Sequence, residues 1–241
     1  MPLTPPVILT AHGSADPRSS VVIHGVAKHI RRLRPGIDVR VAFCEKSTPN
    51  LCDVLADLRG PAVVAPLLLA SAYHARVDIP SIVEQSTAGQ RGDVLQADTL
   101  GEDPRLVELL RRRLAEIGIE PHHSDAGVVV TAVGSSHPQA NAGTATLGAT
   151  LANGTAWAGV RTAFATTQPS VSDAIDELRQ AGVSRIALAP WFIAPGRITD
   201  RIADIATGAD IAVAEPLGAH PLVAAAVLDR VERALRTRRA A

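Results

Sequence analysis

Val7-Ile8-Leu9-Thr10-Ala11-His12-Gly13-Ser14 is the stretch on which the fold turns. Apolar and β-branched residues run into a histidine, a glycine and a serine, and Ala15-Asp16-Pro17-Arg18 then opens a helix. An apolar run without alternation fits a strand buried on both faces, as in a parallel sheet covered by helices. In open sheets of that kind the ligand crevice lies at the carboxyl ends of the strands. His12 stands there, where an imidazole can accept a proton or bind a metal.

Working outward, Val22, Val26, Ile30 and Leu33 share a helical face, and Pro35-Gly36 stops that helix. Ile37 to Phe43 alternates as a second strand ending at Cys44-Glu45, and Thr48-Pro49 opens the next helix. A third strand, Ala62 to Leu69, runs into Ala70-Ser71-Ala72-Tyr73-His74. A short strand near Val94 and a long helix from Pro104 close the unit.

After residue 126 the pattern begins again. Val128 to Ser135 repeats the opening stretch, and Thr162-Ala163-Phe164 repeats Val41-Ala42-Phe43. Ile186 to Ala194 repeats the third strand, and Leu217-Gly218 with Pro221 repeats Leu100-Gly101 with Pro104. The fold expected is α/β, a tandem duplication of a parallel βαβαβαβα unit. The expected boundaries are a first lobe over 1–118, a linker over 119–126 and a second lobe over 127–241.

A duplication serves as its own control. His12 faces Val133, Glu45 faces Thr166, and His74 faces Ile198, while the Gly-Ser scaffold persists in both copies. Core requirements act alike on both copies, so residues found in one alone are candidates for chemistry. A lone histidine at a strand end is more often a hydrogen-bonded loop residue than a ligand. Two histidines and a glutamate at the ends of neighbouring strands, ~4.8 Å apart, can instead converge on one ion. Imidazole suits Fe, Co, Ni, Cu or Zn, and an incomplete set of ligands suits a metal in transit.

Composition removes other classes. Lys+Arg and Asp+Glu both number 24 in 241 residues, which argues against bulk nucleic-acid binding. Cys44 and Cys52 stand eight apart without a Cys-x-x-Cys, so neither a disulfide framework nor a cysteine zinc site is expected. No apolar run is long enough for a membrane span, and a cytoplasmic protein is the expectation. Among the other histidines, His122 and His123 are expected in a solvated linker, and His220 is expected to cap or pack. His24 and His29 do not share a helical face, and His137 is a weaker candidate for the cleft. Phe43 and Phe164 are expected to fill the core, with Tyr73 and Trp191 open.

His12-Gly13-Ser14 after a strand, Phe43 with Glu45, Pro66-Leu67-Leu68-Leu69 leading to Tyr73-His74, and Leu100-Gly101 with Pro104 together resemble the sirohydrochlorin chelatases of the CbiX/SirB type. The second half, with Ala189-Pro190-Trp191-Phe192-Ile193-Ala194-Pro195-Gly196-Arg197, looks like that of the two-domain bacterial members. The resemblance implies a class II chelatase-like fold, with two lobes facing a cleft. It implies ATP-independent insertion of Fe2+ or Co2+, with Ni2+ a further option, into sirohydrochlorin for siroheme or cobalamin.

By position, His12 would be proton acceptor and metal ligand, and His74 the second ligand. Glu45, Leu69, Ala70, Ser71, Ala72 and Tyr73 would contact the macrocycle. Arg18, Lys46, Arg76 and Arg197 are placed to meet its carboxylates. Family members often carry Gly where this chain has Ala72, which an L-residue tolerates if φ stays negative. A monomer with no tightly bound cofactor is expected, with tetrapyrrole and metal as its partners, and neither nucleic acid nor membrane. Two rivals remain: a non-catalytic metal or tetrapyrrole carrier on the same fold, and a histidine phosphatase-like phosphoesterase. The latter lacks the Arg it would need at Ala11.

Overall fold

A computed structural model describes residues 5–70, 77–135 and 138–240 of the chain. In the first repeat the elements are β1 (Val7–Ala11), α1 (Pro17–Leu33), β2 (Val39–Phe43), α2 (Leu51–Ala56) and β3 (Ala62–Pro66). They continue with α3 (Ile79–Gln85), α4 (Thr87–Gln90), β4 (Val94–Gln96) and α5 (Pro104–Glu116). The second repeat holds β5 (Ala126–Ala132), α6 (Pro138–Ala145), α7 (Leu147–Ala152), β6 (Gly159–Phe164) and α8 (Val171–Gln180). It ends with β7 (Arg185–Pro190), α9 (Arg197–Gly208), β8 (Ala212–Val213) and α10 (Pro221–Ala240).

Two four-stranded sheets result, ordered β2-β1-β3-β4 and β6-β5-β7-β8, every pairing parallel. β1 lies between β2 and β3, so Thr10 is in register with both Ala42 and Pro66. β5 holds the same central place, with Thr131 in register with Ala163 and Pro190. Val7, Ile8 and Leu9 are wholly buried, as are Val128, Val129 and Val130. A central strand covered on both faces has no solvent side, which is why its sequence does not alternate. The duplication read from the sequence is therefore a duplication of the sheet.

The compact units are not the two sequence halves. One unit takes in Met1–Gly101 with Ala219–Ala241, and the other is Glu102–Gly218. The expected boundaries at 118 and 127 follow the repeat, whereas packing follows the helices. α10 lies along α1 and against β3 and β4, while α5 lies against β7 and α7. Arg230 donates to the carbonyls of Thr99 and Leu100, fixing α10 within the first unit. Arg111 and Arg113 donate to the carbonyls of Leu151 and Leu217, fixing α5 within the second.

Residues 119–126, expected as a linker, belong to the second unit. His123 Nδ1 accepts from the Glu120 amide at 3.1 Å, and the Glu120 carbonyl accepts from Trp157 Nε1 at 2.8 Å. Arg185 donates to the Gly118 carbonyl at 2.5 Å. His122 is exposed as expected, but His123 is half-buried and bonded. His220 caps α10, its Nδ1 accepting from the Leu222 amide at 3.1 Å. Phe43, Phe164 and Trp191 are all buried, so the aromatic open at the sequence level in the second repeat is also a core residue. No described helix is long and apolar enough to cross a membrane.

Candidate active site

At the end of β1 the chain leaves the sheet through His12-Gly13-Ser14. Gly13 has φ +97°, and a Cβ built on it would lie 1.7 Å from the Glu45 carbonyl oxygen. Only glycine meets both conditions, the left-handed φ and the close approach. The loop after β2 is thereby zipped onto the loop after β1. Cys44 and Glu45 donate from their amides to the carbonyls of Ala11 and His12, at 3.0 and 2.9 Å. Ser47 Oγ then accepts from the Ser14 amide at 3.1 Å and donates to its carbonyl at 2.9 Å.

This backbone frame brings His12 Nε2 to 2.9 Å from Glu45 Oε1. The same carboxylate oxygen lies 2.7 Å from Lys46 Nζ. About a third of the His12 side chain and half of the Glu45 side chain are exposed. A half-exposed carboxylate beside an imidazole can receive a cation from solvent without full desolvation, and it stabilises positive charge on or near the ring. Leu69 and Ala70 follow β3, the neighbour of β1 on its other side, and are half-buried. Ser71, Ala72, Tyr73, His74 and Arg76 lie outside the described residues. Among the described residues no three His, Cys, Asp or Glu side chains form a metal-binding group. Arg18 is engaged by Asp16, its Nη2 lying 2.5 Å from Oδ2.

The second unit keeps the frame and loses the chemistry. Gly134 has φ +88°, and the amides of Ala165 and Thr166 donate to the carbonyls of Ala132 and Val133. Thr166 Oγ1, in the place of the Glu45 carboxylate, donates to the Val133 carbonyl at 2.8 Å. Ile198, which faces His74 across the repeat, packs against the core of its own unit. Gly196, facing Ala72, has φ 173°, extended backbone that any residue adopts, and a Cβ there would meet nothing. Alanine is thus compatible with the turn as the second repeat forms it.

Cys44 is half-buried beside the site. Burial, then the charges of Asp78, Glu45 and Cys52, push its thiol from 9.0 up to about 11. It is a neutral thiol at pH 7 in the absence of a metal.

The sequence reading missed one difference between the loops. Phe43 and Pro49 stand six apart, but Phe164 and Pro169 only five. The added residue produces a reversal, with Lys46 at φ +57° and the Ser47 amide donating to the Glu45 carbonyl at 2.7 Å. Of the described non-glycine residues, only Asp210 shares this left-handed conformation with Lys46. The signal was the spacing itself.

The model of one protein family, CbiX, matches residues 6–117 and again 127–234. The chain belongs to the CbiX family. A sirohydrochlorin cobaltochelatase of Priestia megaterium is 24% identical over 245 aligned residues, covering 95% of this chain and 79% of that protein. One of Methanothermobacter thermautotrophicus is 30% identical over 128 residues, covering 45% of this chain but 89% of that protein. That relative thus corresponds to about one repeat. SirB from Bacillus subtilis with Fe3+ superposes with a TM-score of 0.81 at 21% identity, covering 98% of each chain. The fold expected from the sequence is therefore the fold of solved chelatase structures.

Proposed function

We propose that this CbiX-family chain inserts a divalent metal, Fe2+ or Co2+, into sirohydrochlorin without ATP, toward siroheme or cobalamin. The observation that carries the reading is the His12–Glu45 pair at 2.9 Å, built at the end of β1 and replaced by Val133 and Thr166 in the repeat. Insertion takes up one dication and releases two pyrrole N–H protons, so a site needs a base and a ligand that lets the metal go. A neutral imidazole can serve either role, and His12 is assigned both, as proton acceptor before the metal is seated and as ligand while it is in transit. Glu45 offsets the charge of the incoming ion and is assigned a contact with the macrocycle. His74 is assigned as second ligand, and Leu69, Ala70, Ser71, Ala72 and Tyr73 as the wall against the macrocycle. Arg18, Arg76 and Arg197 are assigned to the substrate carboxylates, of which Arg18 would first have to leave Asp16; Lys46, expected among them, is engaged by Glu45. The working form is a cytoplasmic monomer with no resident cofactor, meeting neither nucleic acid nor membrane.

The test is the absorption change of sirohydrochlorin mixed with Fe2+ or Co2+, with and without purified protein. Acceleration by the wild type, lost in His12→Ala and His74→Ala, is the expected result. Unchanged rates in both variants would sink the site assignment. Binding of metal and macrocycle without acceleration would favour a carrier, and phosphate release from a generic ester, lost in His12→Ala, a phosphoesterase.

A further inference from the structure

The loops after β2 and β6 share their frame, their amide contacts to the preceding loop and their proline, yet only the first carries an added residue. Between Glu45 and Thr48 it has Lys46 and Ser47, where the second has Thr167 alone between Thr166 and Gln168. Lys46 is held in a left-handed backbone that non-glycine residues rarely adopt, and such strain persists where the surrounding structure over-determines it. Here Ser47 supplies the anchor, bonded twice to Ser14. The product of the reversal is an ammonium 2.7 Å from the carboxylate oxygen that also faces His12 Nε2.

We propose that Lys46 is a positioning residue for the metal: its ammonium occupies Glu45 until a divalent cation displaces it, and so keeps the site from holding that cation too tightly. The proposal deepens the chelatase reading and rests on it. A metal held at His12, with Glu45 offsetting its charge, must be surrendered to the macrocycle, so tight holding slows the reaction. A tethered cation that competes for the same oxygen weakens binding and helps the metal leave. Because Lys46 is more than half exposed, solvent screens its effect, which limits the expected size.

The test uses the full chain and Co2+. Lys46→Gly removes the side chain and suits the left-handed backbone, so it should melt no lower than the wild type. Lys46→Gln removes only the charge. In both, the Kd for Co2+ from its visible absorption should fall about three- to tenfold, the scale of one screened charge interaction. The KM for Co2+ should fall with it, and kcat should fall because release is slower. Lys46→Arg should stay within about twofold of the wild type, since a retained cation retains the competition. Unchanged or weaker Co2+ binding in both neutral variants, beside an active wild type, overturns the role of Lys46 alone. A raised KM for sirohydrochlorin with unchanged Co2+ binding also overturns it, and makes Lys46 a contact for the macrocycle's carboxylates. A wild type that neither binds Co2+ nor accelerates insertion overturns the chelatase reading and this proposal together.

Discussion

At the scale of single residues, Gly13 and Gly134 separate what the frame requires from what the chemistry requires. Both have positive φ, but a Cβ at Gly13 would strike backbone, whereas at Gly134 it would meet Thr167 Cγ2 at 2.8 Å and Phe164 Cβ at 3.0 Å. Thr167 Cγ2 must shift and Phe164 Cβ moves only with its strand, but neither is a carbonyl in the ladder that holds the site. Gly134→Ala should cost more than the ~1–2 kcal/mol of a left-handed alanine and leave chelation intact. Gly13→Ala should cost more and abolish insertion, since it drives Glu45 off the His12 loop. Denaturant melts beside the chelatase assay check both.

The two cysteines give a second test at this scale. The Cys44 thiol sits about two pH units above its ordinary value, so at pH 8 its thiolate fraction should be about a hundredfold lower than an unperturbed thiol's. Exposed Cys52 should react with a thiol reagent first, and Cys44 only on unfolding. The sign for stability follows. A folded-state pKa above the unfolded one means the unfolded chain loses its proton first, so stability falls as pH rises from about 9 toward 11. Cys44→Ala should flatten that alkaline decline in a pH series of melts.

At the scale of elements, the strands were legible because their signal is local. Val7 to Ala11 and Val128 to Ala132 are apolar without alternation, and both are buried central strands. Asp16, Asn50, Asp103 and Ser170 each accept from an amide of the first turn of α1, α2, α5 and α8 respectively; the starts of α1 and α5 at Pro17 and Pro104 were written in sequence, whereas α2 begins at Leu51, past the expected opening at Thr48-Pro49. The pairing of Glu45 with His12 followed from duplication rather than from propensity. What stayed hidden was which sheet each closing helix covers. α5 and α10 carry equivalent sequence landmarks and similar apolar faces, and nothing in an amphipathic stripe names its partner.

The structure answers that question, and a truncation tests it. In α10, Val223, Val227, Leu228 and Val231 are buried, and Arg238 donates to the Gly92 carbonyl. Burial of four such side chains stabilises by roughly 6–12 kcal/mol, comparable with the net stability of a whole domain. A chain ending at Gly218 should therefore lose hydrogen-exchange protection across β1 to β4, keep it across β5 to β8, and lose insertion activity. Equal protection in both sheets would mean that α10 is dispensable.

At the scale of the whole molecule, the same duplication yields one sheet that keeps the histidine and carboxylate and one that keeps only the frame. The family match over 6–117 and 127–234 traces the sequence repeat, while the compact units trace the packing, and the two differ by one helix each. A consequence follows for the growing polypeptide on the ribosome. Domains ordinarily complete themselves in order from the N-terminus. Here Glu102–Gly218 is continuous, while the unit begun before it waits for Ala219–Ala241, made after it. The unit bearing His12 and Glu45 is begun before the other and finished after it, and a chain terminated before Ala219 would present both residues on a sheet that still lacks its closing helix.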